Sequence, residues 1–357
     1  MKNKKIQTVL ERVYADNVPE QSDVEFLLGV ESDTGMQILF DFADNVRRKF
    51  CGDGILLRGI VEFGSFCRNT CLYCGLNKNN KKLQRYRLTK EELIGAAKQI
   101  VSAGIKTVVL QSGEDDGLDV VWFGEIIKKI KQDFGMSVTL SVGERSFEDY
   151  KIWKEAGADR YLLKIETANK VLYQSLHPEM SFENRIECSG NLKSLGYQNG
   201  SGCLVGIKGQ TIQTLAEDIL FFKKEDFDMI GIGVFIPHEH TVLGKEPLGN
   251  IKLALKVLAI TRIVTKDTHL PATTAIGSIG GNDERVKALK AGANVIMPNF
   301  TPEKYRKLYD IYPDKRCVRE LSCGYLKTLE MMATETNRWI DFSRGDSLKL
   351  KTEIVDF

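Results

Sequence analysis

Residues 55–74, ILLRGIVEFGSFCRNTCLYC, decide the fold class of this 357-residue chain. The apolar run at residues 55–63 predicts a β-strand, and the loop after it carries three cysteines, Cys67, Cys71 and Cys74. A doubly wound open sheet that binds a nucleotide would have a glycine-rich turn directly after its first strand. Because cysteines stand at that position instead, the stretch favours a barrel of parallel strands over an open sheet.

The rest of the chain repeats a pattern of apolar strand followed by helix. Seven further strands are predicted at residues 106–111, 137–142, 160–165, 202–205, 229–236, 270–275 and 293–297. The strand predicted at residues 270–275 is the weakest of the eight. Its Pro271 suits only the start of a strand. Thr89 and Glu92 form the capping-box pattern that begins a helix.

Eight strands alternating with helices within about 250 residues predict an α/β protein with a (β/α)8 TIM barrel. We expect an N-terminal helical segment at residues 1–50 packed on the barrel, the barrel itself at residues 51–330, and a C-terminal tail at residues 331–357. A doubly wound open sheet is the alternative.

The composition is that of a globular protein, with 43% hydrophobic and 27% charged residues. The net charge of +2 gives no reason to expect nucleic acid or a membrane surface as a partner. The basic N-terminus is not followed by an apolar signal segment, and no run approaches the roughly 18 apolar residues that span a bilayer. We therefore expect a cytoplasmic protein.

The cysteines predict a metal centre. The chain has eight of them, but disulfide frameworks are typical of small secreted chains, and this chain is large. Structural zinc sites and clusters used only for electron transfer normally have four protein ligands. The three closely spaced thiolates of Cys67, Cys71 and Cys74 therefore predict a metal centre with one open position, where a substrate or cofactor binds.

Polar and glycine residues collect at the C-terminal ends of the predicted strands, where barrel enzymes carry their active sites. The cysteine loop follows the first strand, residues 111–114 (QSGE) end the second, and Glu166 follows the fourth. Thr273 and Thr274 end the seventh. The strand ends therefore predict a site at one end of the barrel.

The Cys-x3-Cys-x2-Cys loop, with an aromatic Tyr73 before its last cysteine, resembles the radical S-adenosylmethionine (SAM) superfamily. The resemblance implies a 4Fe-4S cluster on Cys67, Cys71 and Cys74, with SAM on the open iron. It also implies reductive cleavage of SAM to a 5′-deoxyadenosyl radical, so no catalytic residue is assigned beyond the cluster and SAM. A zinc loop is the alternative for the three cysteines.

The same resemblance implies a set of SAM-binding residues. Ser112 replaces the first glycine of the superfamily's Gly-Gly-Glu turn, and Arg185 matches the arginine that pairs with the SAM carboxylate. A fork-shaped guanidinium suits that pairing. The implied cofactor-binding residues are Tyr73, Ser112, Gly113, Glu114, Glu166, Arg185, Phe235, Ile236 and Pro237.

Further motifs resemble a narrower family, the HydE maturases of FeFe-hydrogenase, in the clade of biotin synthase and methylornithine synthase. They include residues 85–89 (RYRLT), 158–163 (ADRYLL), 166–169 (ETAN) and 292–299 (GANVIMPN). The resemblance implies a radical reaction on a small anionic substrate, a cysteine-bound iron carbonyl cyanide complex. The implied partners are an electron donor such as flavodoxin or ferredoxin and possibly other maturation proteins.

The resemblance also implies a substrate cavity lined by cationic and hydroxyl groups, which suit a small anion. Its residues are Arg58, Gln111, Thr139, Arg160, Lys164, Met229, Thr273, Thr274, Tyr309 and Tyr312. Packing in the barrel core is the alternative for each of them, and it is favoured for Met229.

Three departures from the family pattern leave the substrate open. One is at residues 207–211 (IKGQT), where the family usually has Leu-Pro-Gly-Gln-Thr. Lys164 and Ile165 stand where the family has Arg-His, and lysine keeps the charge but loses the bidentate fork. Only Cys317 and Cys323 stand where some members bind a second cluster through three cysteines, so we predict no stable second cluster.

Two other functions therefore remain as alternatives. One is a HydE-like paralogue acting on a different small amino acid or thioether, and the other is a non-catalytic carrier of an iron–sulfur cluster or iron complex. The basic run at residues 78–87 either docks an acidic electron carrier or is a solvated loop, and the solvated loop is favoured.

Overall fold

The computed structural model describes residues 2–279, 283–316 and 325–353. The strands are β1 (Gly54–Leu57), β2 (Gly59–Gly64), β3 (Thr107–Ser112), β4 (Ser137–Ser141), β5 (Arg160–Leu162), β6 (Gln198–Val205), β7 (Met229–Val234), β8 (Val295–Ile296) and β9 (Trp339–Asp341).

The helices surround these strands and extend the chain at both ends. They are α1 (Lys2–Ala15), α2 (Gln21–Leu28), α3 (Asp33–Cys51), α4 (Lys90–Ser102), α5 (Val120–Phe134), α6 (Phe147–Glu155), α7 (Lys170–Leu176), α8 (Phe182–Ser194), α9 (Ile212–Glu225), α10 (Ile251–Thr265), α11 (Thr274–Ser278), α12 (Arg285–Lys290), α13 (Glu303–Arg306) and α14 (Tyr325–Glu335), followed by a 3-10 helix at Leu348–Glu353.

The strands form a ring of parallel pairs. β2 to β7 make one sheet in chain order, and β8 pairs with β1 in a second sheet. The predicted first strand is split at Arg58 into β1 and β2, so one chain segment joins the two sheets. Isolated parallel bridges complete the ring, from Met229 to His269 and from Pro271 to Val295. The predicted barrel fold is therefore confirmed.

The seventh predicted strand, residues 270–275, is reduced to these bridges. Pro271 has no N–H to donate to a neighbouring strand, whereas the Ala272 N–H donates to Val295 O at 2.9 Å. Helix α11 then begins at Thr274. The wall of the barrel at this point is an extended segment that turns directly into a helix.

Helices cover the outside of the ring. β7 is buried at every residue, as expected for a parallel sheet with helices on its outer face and side chains inside. The capping box predicted for α4 is present, with the Thr89 N–H donating to Glu92 Oε2 at 3.0 Å and the Glu92 N–H to Thr89 Oγ1 at 3.3 Å. None of the described helices is long and apolar enough to cross a membrane.

The N-terminal segment packs on one side of this helical layer. α3 contacts α10, and α2 contacts α9 and α10. The Lys256 ammonium on α10 is buried and donates to Val30 O at 2.9 Å. Helices α1 to α3 therefore extend the outer layer and lie away from the strand ends.

The C-terminal segment closes the N-terminal end of the barrel. β9 pairs in parallel with β1, with Gly54 opposite Trp339. The following residues cross the starts of the strands, where Arg160 Nη2 lies 2.6 Å from Asp346 Oδ1 and Arg58 Nη2 donates to Gly345 O at 3.1 Å. We call this closed end the floor.

Candidate active site

A cavity of about 360 Å³ lies at the C-terminal ends of the strands, and we call it the upper cavity. The predicted site residues in its lining are Cys67, Cys71, Tyr73, Cys74, Gln111, Ser112, Glu114, Lys164, Glu166, Arg185, Phe235, Ile236, Thr273, Thr274 and Tyr312. Two further predicted residues, Gly113 and Pro237, are not part of the lining, although each is adjacent in sequence to a residue that is. Tyr309 lies behind Gln111, whose Nε2 donates to the Tyr309 hydroxyl at 3.1 Å.

Four residues predicted for the substrate cavity lie instead at the floor. Arg58, Thr139, Arg160 and Met229 line a separate space of about 10 Å³, which has room for about one water molecule. Arg58 Nη1 lies 2.7 Å from Met229 Sδ. Arg160 and Met229 are the first residues of β5 and β7, Thr139 is the middle residue of β4, and Arg58 lies between β1 and β2. The structure therefore places all four below the strand ends, next to the C-terminal segment, and not in the upper cavity.

The cysteine loop is held by an arginine from its own basic run. Arg85 Nη1 donates to Ser65 O at 2.5 Å and to Leu76 O at 2.7 Å, and its Nη2 donates to Asn77 O at 2.7 Å. Guanidinium groups present several donors in a rigid plane, which suits the binding of several carbonyls at once. Arg85 therefore fixes the loop path on both sides of the cysteines.

Two glycines allow the loop to approach its neighbours closely. A Cβ atom on Gly75 would lie 2.0 Å from Asp310 O, and one on Gly113 would lie 2.2 Å from Phe66 O and 2.9 Å from Cys67 Cβ. Any side chain at either position would push the loop away. The superfamily-like turn at residues 112–114 is thus in direct contact with the first cysteine.

The three cysteines suit an iron–sulfur cluster. All three are free and line the upper cavity. Burial raises the pKa of Cys67 and Cys71 and, with the neighbouring Cys67 charge, raises that of Cys74 to about 12. Since metal ligation requires thiolates, these thiols need a strongly positive partner to ionise.

A single metal ion fits less well. No three His, Cys, Asp or Glu side chains of the described ranges converge on one ion position. A four-iron cluster instead takes each thiolate on a different iron atom, so its ligands surround a larger body.

Glu114 is a buried and oriented carboxylate. It is 6% exposed, its Oε1 accepts from Arg68 Nε at 2.8 Å, and its Oε2 accepts from the Glu144 N–H at 2.9 Å. A Cβ atom on Gly143 would lie 2.3 Å from Oε2, and Gly143 has φ 81°. The turn after β4 therefore needs Gly143 to make room for the Glu114 side chain.

Arg185 is positioned by Glu144, a residue to which the sequence assigned no role. Arg185 Nε donates to Glu144 Oε1 at 2.6 Å, and Arg185 Nη1 donates to Lys164 O at 2.7 Å. Asn184 Nδ2 donates to the other Glu144 oxygen at 2.7 Å. The guanidinium is thus held in one orientation at the cavity wall, as an anion-binding arginine should be.

Lys164 and Glu166 face the upper cavity together, and their side chains are joined by an ion pair of 2.8 Å. Gly202 and Gly233 make room for Lys164, because Cβ atoms there would lie 2.8 Å from its Cε and 3.4 Å from its Nζ. Ile165 is 2% exposed and packs in the core. Of the two family departures at this strand, only Lys164 therefore changes the cavity.

Tyr73 is oriented by His177, a lone histidine that no sequence pattern indicated. The Tyr73 hydroxyl lies 2.8 Å from His177 Nε2, and His177 Nδ1 lies 2.9 Å from Tyr173 O. The carbonyl can only accept, so Nδ1 donates and Nε2 accepts from the tyrosine. Burial lowers the pKa of His177 to about 4, which keeps this arrangement neutral.

A buried ion pair forms the opposite wall. Lys315 Nζ lies 2.5 Å from Glu62 Oε1, and Asn299 Nδ2 donates to Glu62 Oε2 at 3.0 Å. Glu62 and Lys315 both line the upper cavity. Cys317 and Cys323, the residues of the possible second cluster, lie outside the described residues, and the absence of that cluster stays a prediction.

Comparison with known proteins identifies the family of this chain. The profile of the radical SAM superfamily matches residues 61–222. The FeFe-hydrogenase maturase subunit HydE of Thermotoga maritima is 50% identical over 306 residues, covering 85% of this chain and 87% of that protein. The 3-methylornithine synthase of Methanosarcina acetivorans is 29% identical over 77% of each chain.

Solved structures show the same fold. Methylornithine synthase (PylB) has a TM-score of 0.82 and 26% identity, with 95% of this chain and 98% of that chain covered. The maturase HydG of Carboxydothermus hydrogenoformans has a TM-score of 0.72 at 19% identity, with 98% of this chain and 90% of that chain covered. The HydG likeness concerns the fold alone.

Proposed function

We propose that this chain, which belongs to the HydE family of the radical SAM superfamily, acts on a small anionic substrate during FeFe-hydrogenase maturation. Membership of that family makes the chain an enzyme that binds a 4Fe-4S cluster and cleaves SAM. One observation carries the proposal: the three cysteines, seven of the nine implied SAM-binding residues and two lysines line a single cavity.

The cofactor half of the cavity is assigned to the cysteine loop and the strand ends next to it. When bound, the cluster and SAM supply a 5′-deoxyadenosyl radical. Cys67, Cys71 and Cys74 would hold the cluster and leave one position open. Arg185, oriented by Glu144, would bind the SAM carboxylate through its guanidinium fork.

The substrate half is assigned to the region of Lys164. Its ammonium is partly exposed and shares the cavity lining with the hydroxyl-bearing Thr273 and Thr274. Groups of this kind bind carboxylates and other small anions. Lys315 lies on the far wall, but its ion pair with Glu62 is buried, whereas the Lys164–Glu166 pair is partly exposed. Lys164 is therefore the cation that we assign to the substrate.

A HydE-like paralogue with another amino acid or thioether substrate is the second candidate. It is favoured by one observation, the lysine at a cavity position where the family has arginine. A non-catalytic carrier is the third candidate. It would bind iron without cleaving SAM, and the oriented Arg185 and Glu114 argue against it.

An anaerobic reconstitution with dithionite and SAM separates the carrier from the enzymes. The enzymes bind about four irons per chain and release 5′-deoxyadenosine, and Cys71→Ala loses both. Iron binding without 5′-deoxyadenosine would establish the carrier. Complementation of a strain that lacks HydE then separates the maturase from the paralogue. SAM cleavage without restored hydrogenase activity would overturn the maturase function.

We further propose that the chain works in the cytoplasm with an electron donor such as flavodoxin or ferredoxin and with other maturation proteins. Support for the location comes from the six described cysteines outside residues 317–324, all of which are free, as expected in a reducing compartment. Support for the donor comes from the chemistry, since reductive cleavage of SAM consumes one electron.

A further inference from the structure

We propose that the outer face of the cysteine loop is the docking surface for an acidic electron-carrier protein. The proposal rests on the proposed function, because only a chain with a redox cluster needs such a partner. The carrier gives up one electron and is oxidised by one electron, and this chain accepts that electron. The docking surface must therefore lie where the cluster site comes closest to solvent.

A surface groove of about 420 Å³ meets this condition, and we call it the outer groove. It is lined by residues 70–72, by Asn77 and Asn79, by Pro178 and Glu179, and by residues 240–242. Cys71 lines both the outer groove and the upper cavity. Of the three cluster-binding cysteines, Cys71 is thus the one that the cofactor site shares with the outer groove.

The wall between the two spaces is fixed on both sides. The Leu72 N–H donates to Leu176 O at 3.1 Å, and Leu72 O accepts from the Leu243 N–H at 3.0 Å. Thr70, 7% exposed, carries a buried hydroxyl that has no hydrogen-bond partner within the described chain. The groove is therefore a preformed surface with an unused polar group in its wall.

The sequence around the groove is strongly cationic. Residues 64–90 hold seven lysines and arginines and no carboxylate. Arg68, Lys78, Arg87 and Lys90 are paired with carboxylates from elsewhere in the chain, and Arg85 is used by the loop carbonyls.

Two lysines of this run remain available. Lys81 and Lys82 are exposed, and neither forms an ion pair with a described carboxylate. The Lys81 ammonium donates to Lys78 O at 3.1 Å, which places it directly beside the residues that line the outer groove. These two charges provide the complementarity that an acidic carrier needs.

The groove also offers an apolar contact. Val242 is 74% exposed and lies in the lining. A small interface with one apolar contact inside a charged rim is typical of transient redox complexes. Two carboxylates lie nearby: Glu179, which forms an ion pair with Lys78, and the exposed Glu239 beside His240.

The test is a binding titration of the reconstituted chain with a flavodoxin, at low and at physiological salt. The double variant Lys81→Glu/Lys82→Glu is expected to raise the Kd about tenfold at low salt and to weaken the salt dependence. Val242→Glu is expected to raise the Kd as well. The matched control Lys128→Glu/Lys129→Glu reverses two adjacent exposed lysines on α5 and is expected to bind like the wild type.

Each other outcome overturns the proposal. An unchanged Kd for the double variant would show that Lys81 and Lys82 do not contact the carrier. An equal loss of affinity in the control variant would show a general effect of surface charge. If the double variant loses affinity and Val242→Glu does not, the docking site lies outside the outer groove. Iron content, measured on every variant, must equal that of the wild type for a loss to count as support.

Dithionite separates this proposal from the proposed function. Dithionite needs no protein docking, so SAM cleavage driven by it is expected to be equal in all four proteins. If the wild type releases no 5′-deoxyadenosine with dithionite, the proposed function fails. If it does and the Kd values are all equal, only the docking surface fails.

Discussion

The Lys164 ammonium lies 2.8 Å from the Glu166 carboxylate, on a strand end that faces both halves of the upper cavity. Glu166 reaches this position with a left-handed backbone, φ 65°, a conformation that costs a non-glycine residue on the order of 1 kcal/mol. The Lys164 side chain is 26% exposed, so the pair is open to exchange. We infer that Lys164 can leave Glu166 for an anionic substrate.

Lys164→Met is expected to raise the KM for the iron carbonyl cyanide substrate about tenfold, since a hydrogen bond to a charged group contributes roughly 1.5 kcal/mol or more. Iron content and the KM for SAM should stay at the wild-type level. Lys164→Arg restores the family residue and serves as the control, because it keeps the charge. A rise in the KM for SAM alone would assign Lys164 to the cofactor instead.

Arg85→Met is expected to lower the iron content after reconstitution, because four loop carbonyls lose their shared donor. Each unpaired buried carbonyl costs about 1–3 kcal/mol, so the melting temperature should also fall. Lys82→Met, an exposed change in the same basic run, is the control and should bind iron normally. Equal iron in both variants would show that Arg85 does not hold the loop.

His177→Phe is expected to raise the KM for SAM several-fold while iron content stays constant, because the Tyr73 hydroxyl loses its 2.8 Å acceptor beside the cofactor site. His177→Gln keeps an acceptor near that position and should restore part of the affinity. Steady-state kinetics with SAM as the varied substrate provide the measurement. A fall in kcat alone for both variants would argue against a positioning role.

Local motifs in the sequence indicated residues that the structure brings together in the upper cavity. The cysteine loop, the turn at residues 112–114 and Glu166 each follow the end of a strand, and a barrel brings such ends together. Arg185 reaches the same cavity from helix α8. Fifteen of the predicted site residues accordingly line one cavity. The glycine of this turn, Gly113, is needed because a Cβ atom there would lie 2.2 Å from Phe66 O.

The sequence predicted less where a role depends on a distant partner. Arg160 looked like a substrate ligand, but Asp346 at the other end of the chain holds it at the floor. Glu144 orients Arg185 from 41 residues away, and Lys315 reaches Glu62 across 253 residues. Pairings of this kind leave no periodicity or motif, so only the folded arrangement reveals them.

Asp218 gives the stability of the barrel a specific pH dependence. It lies on α9, with Oδ1 accepting from the Ala168 N–H at 2.5 Å and from the Thr167 hydroxyl at 3.1 Å. Its Oδ2 is buried without a hydrogen-bond partner in the described chain. Burial raises the pKa of Asp218 to about 8, so the folded protein holds this carboxyl protonated where the unfolded chain does not.

Between pH about 4, the ordinary carboxyl pKa, and pH about 8, the folded state therefore binds one proton more than the unfolded state. Stability from Asp218 is present in full at the acid end of this range and falls as the pH rises. Asp218→Asn keeps the acceptor and cannot ionise, so the variant should gain stability relative to the wild type as the pH increases from 5 to 8. Denaturant unfolding of both proteins across this range provides the measurement, and the contributions of His177 and other groups cancel in the difference. A difference that does not change with pH would mean that Asp218 is ionised in the folded protein, with Oδ2 paired by a water or by another group.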